Sequence, residues 1–184
     1  MIKDKLNTLL KEQLTYPKIK TKGQRAIADM IEDECNRLIT ANFTDTTPAK
    51  SVKTIEDINI GNIYIDHKTS DRARKFKMPN LISIARLKKL DRPLIYNFVI
   101  YDSDSKTIVD NFTLNVYELN WDYLKIRNLG KGQMQITSMK NFLTNPITTL
   151  TKEQWLSKLK EEAIAFYKQV QKDAAKRQKE WEET

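Results

Sequence analysis

The chain has 184 residues, 32 of them Lys or Arg against 24 Asp or Glu, giving a formal net charge of +8 and a pI near 9.4. That length is expected to form one domain, 1–184, with a full core, and the positive balance favours a polyanionic partner without identifying it. Cys35 is the only cysteine and His67 the only histidine, which argues against a disulfide framework, a thiolate zinc cluster, His-metal nucleases, zinc hydrolases and Ser-His-Asp catalysis.

The start, M-I-K-D-K-L, has no apolar signal core, and no run approaches membrane-spanning length. A cytoplasmic protein with no membrane partner is the expectation. Ile2, Leu6, Leu9, Leu10 and Leu14 recur at helical spacing, and Pro17 ends that helix. A second helix is expected from Gly23 to Ile39, with a stripe of Ile27, Met30, Ile31, Cys35, Leu38 and Ile39. Glu32 and Glu34 flank the stripe. Either is most simply a solvated carboxylate at the rim of a buried face; either could instead serve the acidic hairpin that follows.

That hairpin spans residues 54–70, T-I-E-D-I-N-I-G-N-I-Y-I-D-H-K-T-S. Gly61-Asn62 between two β-branched runs signals a two-residue turn of type II′, with Gly at the position that needs positive φ. Ile60 then faces Ile63, and counting back in step puts Asp57 opposite Asp66. Directly opposed residues have β-carbons roughly 5 Å apart on one face, so two carboxylates there repel unless a cation intervenes. Strand alternation adds Lys68 to the face of Asp66 and turns His67 the other way. Two carboxylates and an ammonium on one face make a site for an oxygen-loving divalent metal beside a lysine. The plainer reading of Asp66 and Lys68 is a surface ion pair worth little to stability. A second acid-x-lysine, Asp104-Ser105-Lys106, sits in a polar turn with no apolar strand leading into it.

From Lys68 to Arg92 there are nine Lys or Arg against Asp71 and Asp91. Arg72, Arg74, Lys75 and Lys77 among them are expected to lie along a phosphate backbone, although a solvated face would look the same. Pro79, Leu81, Ile82, Ile84, Ala85 and Leu87 predict a short amphipathic helix. Leu94–Tyr101 and Thr107–Leu119 predict a second hairpin joined by D-S-D-S-K. Gly130 and Gly132 then allow a tight turn crowded by Arg127, Asn128, Lys131, Gln133 and Gln135, side chains of the kind that reach base edges in the major groove. A tip of this kind is more often a plain exposed turn. From Thr151 to Trp181 there is neither Gly nor Pro, and Trp155, Leu159, Ala163, Phe166 and Val170 share one face of a long helix whose charged end leaves the core.

Three stretches in order resemble type II restriction endonucleases of the PD-(D/E)xK superfamily, of the HincII and EcoRV kind. I-E-D-I followed by I-Y-I-D-H-K-T is similar to the family's acidic hairpin with Asp-x-Lys-Thr. M-P-N-L-I-S-I-A-R-L is similar to the segment that follows it, and L-K-I-R-N-L-G-K-G-Q-M-Q-I with T-K-E-Q-W-L-S-K-L to the recognition-loop strand and closing helix. No proline precedes Asp57, the spacing to Asp66 is short, and the Gly-Lys-Gly tip differs, so base specificity does not transfer. The resemblance implies an α/β fold: a restriction-endonuclease-like mixed β-sheet flanked by helices, with a long C-terminal helix. Helices are expected over 1–50, the catalytic sheet and recognition loop over 51–145, and the closing helix over 150–184. It implies a homodimer on double-stranded DNA, Mg²⁺-dependent phosphodiester cleavage, and a cognate DNA methyltransferase as companion. Asp57, Asp66 and the backbone carbonyl of His67 would hold Mg²⁺, Lys68 would orient the nucleophile, and Glu32, with Glu34 as alternative, would be the accessory acid. Thr69, Ser70 and Asn80 join the implied DNA contacts. Two other readings stay open: a non-cleaving DNA-binding module of the same fold, and a repair or recombination nuclease that reads structure.

Overall fold

Two helices open the chain, α1 (Ile2–Gln13) and α2 (Gln24–Asn42), close to their expected spans. The structure, a computed structural model, describes residues 1–18, 23–49, 55–74, 79–127 and 132–183. Lys75, Lys77, Asn128 and Lys131 of the expected DNA contacts lie outside the described residues. Strands β1 (Thr46–Pro48), β2 (Ile58–Ile60), β3 (Ile63–Asp71) and β4 (Asn80–Ser83) lead to a single helical turn, α3 (Ile84–Leu87). Then come β5 (Leu94–Asp102), β6 (Thr107–Asn115), β7 (Leu124–Arg127), β8 (Gln133–Ile136), α4 (Met139–Thr144) and α5 (Lys152–Glu182).

The strands form a five-stranded sheet in the order β1-β2-β3-β5-β6 and a three-stranded sheet in the order β4-β8-β7. In the first, β3 and β5 are parallel and the other pairs antiparallel, so the protein is a mixed α/β fold with a mixed sheet and a long C-terminal helix. The sequence of β5, L-I-Y-N-F-V-I-Y, shows why this strand is central: residues 94–101 are all buried, as in a strand covered on both faces. Leu94, Tyr96, Phe98 and Ile100 point into one core, shared with the small sheet and α5. Ile95, Val99 and Tyr101 point into the other, shared with α1 and α2. Among the described residues, no helix is long and apolar enough to cross a membrane.

The acidic hairpin has the expected register. Ile60 pairs with Ile63 and Ile58 with Ile65, and Gly61 turns at φ +55°. Gly132 is needed for a different reason. Its φ is +100°, and a β-carbon there would come within 2.9 Å of the Ile84 side chain, which brings α3 against the β7–β8 hairpin.

Two expectations are corrected. The segment after Pro79 is a strand and only one turn of helix. Asn80 and Ser83 pair with Gln135 and Gln133, and the Ile82 N–H donates to the Tyr96 hydroxyl at 2.8 Å. Pairing with β8 outweighs the helical spacing of Leu81, Ile84 and Leu87. The strand expected to reach Leu119 stops at Asn115, whose side chain accepts the Tyr117 N–H while Glu118 takes the Asn115 N–H at 2.7 Å. That reciprocal cap starts a short 3₁₀ turn over Val116–Glu118. The D-S-D-S-K link is a turn as expected, with Lys106 at φ 55°. Helix α5 leaves the core after Val170, and residues 171–183 are exposed.

Candidate active-site cleft

β2 has three residues and β3 has nine, so β3 outruns its partner and its outer edge opens beyond Ile65. The chain leaves the ladder at Asp57, and its carboxylate takes the place of the missing strand. Asp57 Oδ2 accepts the His67 N–H at 2.6 Å. This clamp holds Asp57 opposite Asp66, as the register requires. Two residues on, Lys68 Nζ lies 2.5 Å from Asp66 Oδ1, with its ammonium 5.8 Å from the Tyr96 ring centroid.

Helix α2 closes the other wall. Glu32 faces this edge, and Thr69 Oγ1 donates to its carboxylate at 3.4 Å. Glu34 turns away into an ion pair with Arg37 at 2.6 Å. The resulting cleft is about 640 Å³. Asp29, Glu32, Asp33, Glu56, Asp57 and Asp66 line it against Lys68 and Arg86, and Asn80 and Gln133 close the far side. Burial pushes the Asp66 carboxyl up to about 7 despite Lys68, with the Asp57 charge adding to the rise. Burial, then the Asp57 charge, likewise pushes Glu32 up to about 7. The lining carries more carboxylates than cations.

The donor set fits a hard cation. The β2–β3 register sets Asp57 opposite Asp66, so two carboxylates meet on one face, where a cation between them would relieve their repulsion. No group of three or more His, Cys, Asp or Glu side chains among the described residues is arranged to hold a metal ion by itself. Mg²⁺ does not need one, because it keeps several waters and binds through one or two carboxylates plus substrate phosphates.

The remaining candidates divide. The imidazole of His67 points away from the cleft, 2 % exposed, with Nε2 3.1 Å from Asn36 Oδ1 and Nδ1 3.0 Å from Asn97 Nδ2. Burial lowers its pKa to about 4; with both ring nitrogens engaged, it is the backbone of His67 that is left for a ligand. Arg72 and Arg74 are exposed beyond β3, Arg74 lying 3.7 Å from Asp104. Ser70, expected among the DNA contacts, is buried. It is 3 % exposed, and its hydroxyl has no hydrogen-bond partner among the described residues. Gln135 is buried and donates to Asn80 at 2.9 Å, so it stabilises the small sheet instead of reaching outward. Arg127 pairs with Gln133 across the β7–β8 hairpin.

Asp29, Asp33 and Asn36 were not singled out from the sequence. With Glu32 they fall at i, i+3, i+4 and i+7 along α2, one polar face beside the apolar one, and that spacing was readable. Glu56 and Arg86 carry no comparable signal. Neither family models nor curated proteins give a match to this chain.

The raised acids have a consequence for stability. Glu32 and Asp66 bind protons more tightly folded than unfolded, so their stabilisation is full at low pH and is lost as pH rises through about 7. His67 acts oppositely, its contribution being lost as pH falls from 6.5 to about 4. Two acids outweigh one imidazole across the shared window. The metal-free protein should therefore lose on the order of a few kcal/mol between about pH 5 and pH 8, each tenfold difference in proton affinity between folded and unfolded chain being worth about 1.4 kcal/mol. Thermal unfolding in chelator at the two pH values measures this, and a higher Tm at pH 8 would contradict it.

Proposed function

We propose that the protein is a Mg²⁺-dependent DNA endonuclease with a restriction-endonuclease-like fold, acting as a homodimer on double-stranded DNA beside a cognate methyltransferase. The observation that carries this reading is the meeting of Asp57, Asp66, Lys68 and Glu32 at the open edge of β3. Asp57 and Asp66, with the backbone of His67, are the residues that would hold Mg²⁺. Bound there, the ion would supply Lewis-acid polarisation of a phosphoryl oxygen and a more acidic water.

The chain's own groups then have defined work. Lys68, already turned to Asp66, orients the attacking water and offsets charge gathering on the phosphoryl oxygens. Glu32, held near neutrality, is matched to take a proton from that water at physiological pH. A P–O bond forms from the water oxygen, the bond to the 3′-oxygen breaks, and that oxygen leaves with a proton. The products are a 5′-phosphate and a 3′-hydroxyl. Arg72 and Arg74 lie along the approach of a phosphate backbone, and the net charge of +8 draws the duplex in.

Metal-assisted binding separates from chemistry. Ca²⁺ accepts the same oxygen ligands with looser geometry, so it is expected to tighten duplex binding about tenfold or more over chelator, a gain of about 1.4 kcal/mol, with little cutting. Asp66→Asn should lose the response. Equal affinity in Ca²⁺ and chelator removes the two carboxylates from the complex.

A further inference from the structure

Behind the cleft a polar chain crosses the sheet, and it has a direction. Asn111 Nδ2 donates to Asn97 Oδ1 at 2.7 Å. Asn97, with its oxygen so engaged, turns Nδ2 to His67 Nδ1 at 3.0 Å, and the same nitrogen lies 3.7 Å from Cys35 Sγ. Nδ1 of His67 is then an acceptor, which leaves the ring proton on Nε2 in a neutral imidazole. That proton goes to Asn36 Oδ1 at 3.1 Å. Asn97 and Asn111 are 0 % and 2 % exposed, so neither can turn to water for relief.

The opposite direction is disfavoured at the far end. As observed, the group left without a partner is Asn111 Oδ1. Reversal would leave the NH₂ of Asn111 buried instead, and orphaned buried N–H groups are rarer than under-satisfied carbonyl oxygens. At the near end, Asn36 lines the cleft beside Glu32 and Asp57. Its oxygen is taken by His67, so its NH₂ is what it presents to the cleft.

We infer that Asn36 is a substrate-binding residue whose NH₂, fixed toward the cleft by the Asn111–Asn97–His67 chain, donates to a phosphodiester oxygen. This rests on the nuclease reading for its substrate. A neutral donor suits a cleft crowded with carboxylates, because it binds an anionic oxygen without being drawn into an ion pair with them. His67 acts through Asn36 and is a positioning residue.

Two measurements test the assignment. The chain has one histidine, so the imidazole ¹⁵N signals of labelled protein belong to His67 alone. They are expected to show the Nε2–H tautomer; the Nδ1–H tautomer reverses the chain and overturns the assignment. Asn36→Asp keeps an oxygen for His67 and replaces the donor. Its affinity for a mixed-sequence duplex in Ca²⁺ is expected to fall about tenfold or more, as for losing a hydrogen bond to a charged group, with the tautomer and Tm retained. If wild type binds DNA and Asn36→Asp binds equally well, the Asn36 assignment alone falls. If wild type binds no DNA with Ca²⁺ or Mg²⁺, this assignment and the nuclease reading fall together.

Discussion

Asp66→Asn and Lys68→Ala are each expected to lower the DNA cleavage rate by about 10²–10³ or more, the cost of removing one preorganised electrostatic group from a reacting centre. The two should differ in stability. Burial already pushes the Asp66 carboxyl toward its neutral form, so an amide there removes a repulsion with Asp57 and should raise the Tm of the metal-free protein near pH 8. Lys68→Ala instead leaves Asp66 at the cleft edge without its ammonium 2.5 Å away and should lower the Tm. Loss of activity with gain of stability is the signature of a group kept for function. Wild-type cutting by folded Asp66→Asn would remove the hairpin from the chemistry.

The largest effect on folding is expected from Trp155→Ala. Trp155 is the buried residue of α5, and its indole N–H donates to the Leu119 carbonyl at 2.9 Å. Its ring lies 5.0 Å from Trp121 and meets Tyr117 edge-on at 5.3 Å. Truncating a buried Trp costs about 3–5 kcal/mol, a large share of the roughly 5–15 kcal/mol of a typical domain. Leu159, Ala163 and Phe166 are only partly buried and offer little to compensate. Urea unfolding measures the loss, and a change below about 1 kcal/mol would mean that α5 docks by other contacts. Truncation after Val170 should cost far less, since residues 171–183 are exposed.

What could be read from the chain followed from local chemistry. Gly61-Asn62 between β-branched runs fixed the turn, the turn fixed the register, and the register set Asp57 opposite Asp66. Helix α5 was legible from Trp155, Leu159, Ala163 and Phe166 at helical spacing. The segment after Pro79 was not, because Leu81 and Ile82 suit a helix or a strand, and the choice is made by Gln133 and Gln135, some fifty residues on. Ser70 and Gln135 looked like outward polar residues, yet Ser70 is buried in β3 and Gln135 pairs with Asn80. Asn36, Asn97 and Asn111 come from three elements, and only the fold brings them into one chain with His67.

The central claim is that this cleft hydrolyses DNA with a divalent metal. Mixed-sequence plasmid incubated with the protein and Mg²⁺, followed by sequencing of the fragment ends, tests it most directly. Discrete fragments with 5′-phosphate and 3′-hydroxyl ends are expected, lost in chelator and with Asp66→Asn. A smear would retain the chemistry and contradict sequence-specific cutting; plasmid left intact in Mg²⁺ would contradict the claim itself.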